Sequence, residues 1–208
     1  MKERPILMSA PMVRAILDGS KTQTRRVVKD LKGYENTGYD FCIGMNDGEL
    51  QALTAGDHGW EATGVRCPYG QPGDRLWVRE SWRVNHVALD CVSVFYKAHE
   101  RHSYTEMCEQ IPIAAVNTPV KAAMSWRPSI HMPRWASRIT LEITGIRVER
   151  LQDITNNDAL AEGTPDLRTK ENNWDMVRCY QELWEQINGA GSWALNPWVW
   201  VVEFKRLA

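Results

Sequence analysis

The feature that most constrains the fold is a regular alternation of apolar and polar residues in positions 138–151. Ile139, Leu141 and Ile143 stand there at every second position. Because the side chains of a β-strand point alternately to its two faces, this spacing predicts a long strand with one buried face. The apolar run at 198–204 predicts a further strand near the end of the chain.

Shorter patterns predict the other elements. Apolar residues predict strands at 6–8, 21–28, 76–82 and 92–96, and helical periodicity predicts helices at 10–17, 155–161 and 174–187. Several separated strands with few helices are typical of a small mixed barrel, which makes the expected fold class α+β. Residues 30–72 are rich in Gly, Asn and Asp and are expected to be an insertion.

The bulk properties indicate an ordinary globular protein. With 208 residues, of which 43% are hydrophobic and 25% charged, we expect a single domain, 1–208. No apolar run approaches the roughly 20 residues that span a bilayer. No signal peptide is evident, so we expect a cytoplasmic protein that does not enter membranes. The five cysteines are odd in number and contain no CxxC pair, which argues against disulfides.

The distribution of charged and aromatic residues points towards nucleic acid. Residues 1–29 hold seven Lys and Arg against two acidic residues, and the chain has ten tryptophans. The segment 126–138 mixes Arg134, Trp135 and Arg138 with prolines, and suits a wall that stacks on bases and holds phosphates. An irregular loop packed against one end of the barrel is the alternative interpretation.

One short motif suggests a family. The segment 19–26, Gly-Ser-Lys-Thr-Gln-Thr-Arg-Arg, follows the first helix and resembles the Gly-x-Lys-Thr-x-Thr-x-Arg signature of ASCH domains. Three further segments resemble that family in the expected order: the Gly-Asp turn and strand at 73–78, the strand and helix at 150–163, and the closing strand at 198–206. The arrangement is similar to ASCH-like proteins often encoded by phages and prophages.

The resemblance implies a PUA-like mixed β-barrel with a few flanking helices and a central cleft. Relative to small members of the family, the chain carries insertions at about 30–72 and 84–137. Proteins of this kind bind RNA or modified nucleosides, and some bacterial members are amidohydrolases that deacetylate N4-acetylcytidine. By this resemblance the catalytic residues are Lys21, Thr24 and Glu162, and no cofactor is required.

Amide hydrolysis needs a nucleophile, a proton acceptor and positive charge near the oxyanion. Thr24 supplies a hydroxyl as nucleophile or to position water, and Lys21 acts as base or oxyanion stabiliser. Glu162 carries the proton to the leaving amine. Since Lys21 and Thr24 would face opposite sides of a regular strand, a turn or bulge at 21–22 is needed to bring them together.

Nine residues are expected to contact the substrate or RNA: Thr22, Arg25, Arg26, Arg75, Arg79, Glu80, Arg134, Trp135 and Arg138. For Glu80 a structural interpretation stands beside this one, in which it is the buried partner of an arginine. No metal site is expected, because among the His and Cys residues only His99 and His102 have near-ligand spacing and HExxH is absent.

Three other functions remain open at this level. The first is a non-catalytic RNA-binding module, and the second is a ribonuclease of the same fold. The third is a phage accessory factor that binds a host protein through the insertions.

Overall fold

The computed structural model describes residues 1–29, 31, 41–43, 49–53, 60–101, 103–169, 172 and 174–207. The strands are β1 (Glu3–Leu7), β2 (Gln23–Val27), β3 (Phe41–Ile43), β4 (Glu49–Leu53), β5 (Trp60–Arg66), β6 (Arg75–Arg79), β7 (Trp82–Val87), β8 (Cys91–Tyr96), β9 (Cys108–Pro112), β10 (Thr140–Arg150) and β11 (Trp198–Arg206). The helices are α1 (Ala10–Leu17), α2 (Tyr104–Met107), α3 (Asn156–Ala161) and α4 (Met176–Asn188). The α+β class is confirmed. No closed barrel is seen among these residues, and the PUA-like barrel stays a prediction.

The chain divides into two compact units. The first unit comprises Met1–Gly19, Arg75–Glu142 and Arg206–Ala208, and the second comprises Ser20–Asp74 and Ile143–Lys205. Within the described residues, no helix has both the length and the apolar character needed to cross a membrane.

The first unit begins with the predicted strand and helix. β1 runs parallel to β6, and the first residues of β10 pair antiparallel with β6 on its other edge. α1 has the predicted bounds, with Pro11 in its first turn and four buried apolar residues on one face. It ends at Leu17, and Gly19, two positions beyond, has a φ of 84°, a conformation that suits glycine.

A second sheet of the first unit lies inside the predicted insertion 84–137. Strands β7, β8 and β9 form an antiparallel sheet in that order. Its buried residues are Trp82, Val84, Val92, Val94, Tyr96, Met132 and Ala136. The predicted strand over 76–82 is wrong in its extent, because β6 ends at Arg79 and β7, in a different sheet, begins at Trp82.

The second unit joins β2 to β11 in an antiparallel pair, with Thr24 opposite Val202 and Arg25 opposite Val201. Both helices of this unit begin at caps. Thr155 forms a capping box with Asp158 at the start of α3, and the Asp175 side chain accepts the Arg178 N–H at the start of α4. The core under these helices contains Leu151, Ile154, Ala159, Met176, Cys179, Tyr180, Trp184, Val199 and Val201.

The predicted insertion 30–72 also contains regular structure. Strands β3, β4 and β5 pair antiparallel in that order, and Leu50 and Ala52 of β4 are fully buried. Residues 30, 32–40, 44–48 and 54–59 of this segment lie outside the described residues. The high Gly, Asn and Asp content of the segment hid the strands, since they are only three to seven residues long and two of them mix polar with apolar residues.

Candidate functional site

The backbone before β2 is held between α3 and β11 in the second unit. Lys21 forms an isolated antiparallel bridge with Glu162, the residue that caps the C-terminus of α3. The Thr22 N–H donates to the Ala161 carbonyl at 2.8 Å, and the Thr22 carbonyl accepts the Phe204 N–H at 2.8 Å. Lys21 is thereby placed against Glu162, on the side from which Gln23 and Arg25 also reach α3 and its C-cap, so no turn or bulge at 21–22 brings Thr24 to it.

The Lys21 ammonium is fully bonded to the protein. Its Nζ donates to the Gln23 carbonyl at 2.7 Å, to the Glu162 carbonyl at 2.7 Å and to Glu162 Oε2 at 3.0 Å. A lysine ammonium has three N–H donors, so each of them has an acceptor here. The Lys21 side chain is 0% exposed and that of Glu162 is 2% exposed.

Glu162 is shared between two cations. Its Oε2 accepts from Lys21, and its Oε1 accepts from Nη1 of Arg25 at 3.1 Å. The Arg25 side chain is also 0% exposed, and its Nε and Nη2 both donate to Oε1 of Glu149. The carboxylate of Glu162 thus neutralises the buried ends of two residues that lie four positions apart on one segment.

An outer layer continues this arrangement. Arg147 donates from Nε to Glu149 Oε2 at 2.9 Å, from Nη2 to Asp158 Oδ1 at 2.7 Å, and from Nη1 to Glu203. The Gln23 Nε2 donates to Asp158 Oδ1 at 3.1 Å. We call this connected set the charge network: Lys21, Gln23, Arg25, Arg147, Glu149, Asp158, Glu162 and Glu203.

Burial acts differently on the two inner cations. Burial lowers the pKa of Lys21, and the charge of Glu162 opposes this only in part. Burial also works against a charged Arg25, but the carboxylates of Glu162 and Glu149 outweigh it and raise the pKa of Arg25. The environment therefore favours the neutral form of Lys21 more than water does, while Arg25 stays charged.

Thr24 lies on the other face of β2. It is 1% exposed, and it stands between Gln23 and Arg25, which both point into the charge network. Because successive side chains of a strand alternate, the Thr24 hydroxyl leaves the strand on the opposite side. The structure brings Lys21 and Glu162 into contact and places Thr24 behind them.

The other two predicted contact residues of this segment lie nearer the surface. Thr22 is exposed, and Arg26 is half-buried with its Nη1 donating to the Arg25 carbonyl at 3.3 Å. Thr22 and Arg26 therefore stay the predicted residues of the second unit that a substrate or RNA can contact from solvent.

The predicted contact residues of the first unit include a buried ion pair. Arg138 donates from Nε to Glu80 Oε1 at 2.9 Å and from Nη2 to Glu80 Oε2 at 3.2 Å. The same guanidinium lies 4.0 Å from the centre of the Tyr96 ring and 3.0 Å from Nδ1 of His99. Burial raises the pKa of Glu80, and Arg138 opposes the increase. Glu80 is a buried partner of an arginine in this structure.

The remaining residues of this group also have intramolecular partners. Arg79 donates to the Met132 carbonyl at 3.0 Å and lies over the Trp77 ring, while Arg134 pairs with Glu3 at 3.0 Å. The Trp135 Nε1 donates to Thr118 Oγ1 at 3.0 Å, and its ring meets Trp82 edge to face. Arg75 is half-buried in β6, and its buried Nε has no hydrogen-bond partner in the part of the chain that the structure describes. The segment 126–138 is packed against its own unit.

Several residues of the charge network were not predicted. Arg147 and Glu149 stand two positions apart on β10, a spacing that places both on one face of a strand. Asp158 follows Thr155 by three positions, which is the spacing of a capping box. The first spacing indicates that Arg147 and Glu149 share a face of the strand, and the second indicates where α3 begins. Neither spacing identifies Arg25 as the partner of Glu149 and Asp158.

The described residues contain no group of three or more His, Cys, Asp or Glu side chains that could hold a metal ion. The carboxylates of the charge network are instead bonded to Lys21, Arg25 and Arg147. The charge network itself presents an ammonium, guanidinium groups and carboxylates.

Because of the charge network, we expect the free energy of unfolding to decrease as the pH falls into the acid range. Burial raises the pKa of Asp158, but hydrogen bonds from Thr155 and Gln23 and the charge of Arg25 outweigh it, so that its pKa lies well below the usual value. Its contribution to the free energy of unfolding is complete above about pH 4, the ordinary pKa of an aspartate, and is lost as pH falls further. Urea unfolding between pH 6 and pH 3 should therefore show a smaller loss of stability in Asp158→Asn than in the parent protein. If the free energy of unfolding falls equally with pH in the two proteins, the lowered pKa of Asp158 is contradicted.

No protein-family model, curated protein or solved structure matches this chain. The likeness to ASCH domains consequently depends on the motif residues themselves, chiefly those at 19–26. Any function must be argued from the geometry and chemistry of those residues.

Proposed function

We propose that this protein hydrolyses the exocyclic amide of an N4-acetylcytidine-like nucleoside, with Lys21, Thr24 and Glu162 as its working residues. The supporting observation is the contact between Lys21 Nζ and Glu162 Oε2, which are 3.0 Å apart although the residues are 141 positions apart in the chain. The motif residues that the family resemblance assigns to one reaction thus include a directly bonded acid and base.

The chemistry of the pair suits amide hydrolysis. The reaction removes a proton from the nucleophile and delivers one to the leaving amine. Burial lowers the pKa of Lys21 and so makes its neutral amine more accessible. In that form Lys21 accepts the proton from water, and Glu162 carries a proton to the departing nitrogen. The Thr24 hydroxyl, on the far face of β2, can take part only if this segment rearranges.

The bond changes balance without a further reactant. The water oxygen bonds to the acyl carbon, directly or after a Thr24 ester intermediate, and the carbon–nitrogen bond breaks. The products are acetate and the free cytidine amine. The charged guanidinium of Arg25, 3.1 Å from Glu162 Oε1, supplies positive charge beside the reacting groups.

Catalysis by Lys21 and Glu162 also requires a path by which the substrate can reach them. The side chains of Lys21 and Arg25 are 0% exposed, and Thr24 lies on the far face of β2 at 1% exposure. A substrate can reach the pair only if the segment around Lys21 moves from the bonded arrangement described above. Catalysis would then depend on breaking at least one of the three hydrogen bonds of the ammonium.

The test is incubation of the purified protein with N4-acetylcytidine, with cytidine measured by chromatography. We expect turnover in the parent protein and a loss of at least about a hundredfold in Lys21→Ala, the low end of the effect of a catalytic acid or base. Lys29→Ala changes an exposed lysine of the same unit and should retain full activity. Thr24→Val, which keeps the shape of the side chain, separates the role of the hydroxyl from that of packing.

The absence of cytidine, or equal turnover in Lys21→Ala and the parent, would remove the enzymatic function.

In that case a non-catalytic RNA-binding module is the second candidate. The saturation of the Lys21 ammonium by protein acceptors favours it, because a purely structural Lys21–Glu162 pair needs no access to solvent. Salt-dependent RNA binding without turnover would be its signature.

A further inference from the structure

A separate cavity lies wholly within the first unit. Its volume is about 310 Å³, and its lining residues are Arg14, Lys97, Ala98, Glu100 and Arg101. Arg14 comes from α1, and the other four follow β8 along the chain. None of these residues belongs to the charge network, so the cavity requires an explanation of its own.

The lining is strongly basic. Three of the five side chains are cations, and one is a carboxylate. The carboxylate of Glu100 is already engaged, because its Oε1 accepts the Trp126 indole N–H at 3.0 Å. Positive charge is therefore in excess around an open space, an arrangement that attracts an anion.

One of the cations is positioned by the fold. Arg14 Nη1 donates to the Ala98 carbonyl at 2.8 Å, a contact between residues 84 positions apart. The guanidinium has five N–H donors in a rigid planar fork, and this hydrogen bond orients the fork beside the cavity. The site thus combines an oriented guanidinium with the charges of Lys97 and Arg101.

We infer that this cavity binds a phosphate group, carried either by a nucleotide or by an RNA strand. A guanidinium fork matches phosphate oxygens in bidentate geometry, and a lysine ammonium adds a mobile point charge. The volume is at the lower end of the range found for small-molecule sites, about 300 Å³, and admits more than a bare phosphate ion. The inference goes beyond the proposed hydrolase, whose residues are all in the other unit.

The test measures binding to the full-length protein by isothermal titration calorimetry at low ionic strength. The probes are inorganic phosphate, cytidine 5′-monophosphate and a short single-stranded RNA. We expect binding of at least one probe, weakened about tenfold or more by Lys97→Ala and by Arg101→Ala, because each substitution removes a charge-assisted contact with the phosphate. The matched control is Lys121→Ala, which removes an exposed lysine of the same unit outside the cavity and should leave affinity unchanged.

The three probes separate the two sources of phosphate. Tightest binding of the monophosphate supports a nucleotide ligand, whereas tighter binding of RNA that depends on Lys97 and Arg101 supports a strand. Absence of binding by all three probes, or equal affinity in the two cavity variants and the parent, would overturn the inference. These titrations contain no acetylated substrate, so their outcome is independent of the test for hydrolysis.

Discussion

Glu162→Gln is expected to lower the free energy of unfolding by about 3–5 kcal/mol, the cost of removing one partner from a buried ion pair. The substitution keeps the size of the side chain and removes its charge. Lys21 and Arg25, both 0% exposed, would then share an amide in place of a carboxylate. Chemical denaturation followed by tryptophan fluorescence measures the change.

A matched control is present in the same unit. Glu182 pairs with Arg178 at 2.8 Å on α4, but these side chains are 31% and 43% exposed. Glu182→Gln should therefore change the free energy of unfolding by no more than about 0.5 kcal/mol, as for exposed pairs one helical turn apart. If Glu162→Gln costs as little as this control, the buried character of the charge network is incorrect.

Glu80→Gln is expected to have an effect of the same size in the first unit, about 3–5 kcal/mol. Arg138, 8% exposed, would lose its ionic partner and one of its two hydrogen bonds, since the amide keeps a single acceptor oxygen, and would remain in contact with the Tyr96 ring. The double variant Glu80→Leu with Arg138→Met should recover most of the loss, because it buries neither charge. Denaturation curves for the two variants and the parent provide the comparison.

The exposed pair Glu3–Arg134 is the control for this second prediction. Its side chains are 37% and 43% exposed, and its nitrogen–oxygen distance of 3.0 Å is close to that of the buried pair. Glu3→Gln should change stability by less than about 1 kcal/mol, since water solvates both charges once they separate. A double variant less stable than Glu80→Gln would show that the Glu80–Arg138 pair is needed for packing as well as for charge balance.

The charge network is costly for a purely structural feature. Transfer of charged groups from water to the interior carries a desolvation penalty that attraction between them repays only in part, and apolar residues of similar volume often stabilise a protein as well or better. Lys21, Arg25 and Glu162 nevertheless lie together at 2% exposure or less. Buried groups with shifted pKa values concentrate at functional sites, which is a reason to test this network for activity first.

Local patterns in the sequence were sufficient for several elements. The alternation in 138–151 predicted β10, which spans Thr140–Arg150, and the apolar run at 198–204 predicted β11. The bounds of α1 and the Thr155 cap of α3 were also predicted. Each of these features depends on residues within a few positions of one another, so its pattern can be read along the chain.

Most strands of the two insertions were not predicted from local patterns in the sequence. In 30–72 the strand pairs are separated by glycine-rich and polar stretches, and their short apolar runs did not stand out from them. In 84–137 the strand β9 has the sequence Cys-Glu-Gln-Ile-Pro, in which only part of one face is apolar. Such strands are stabilised mainly by their neighbours in the sheet, and a pattern of one strand alone is weak.

The residues of the candidate site likewise include some that the sequence identified and some whose contacts appear only in the folded chain. The family resemblance identified Lys21 and Glu162, and the alternation of a regular strand already predicted that Lys21 and Thr24 face opposite sides. Only the tertiary structure showed that Arg25 pairs with Glu149, 124 positions away. The sequence by itself determined which segments form strands and helices, because those preferences are local. The folded chain decided which charges meet, because the partner of each buried ion depends on strand register and on contacts between distant segments.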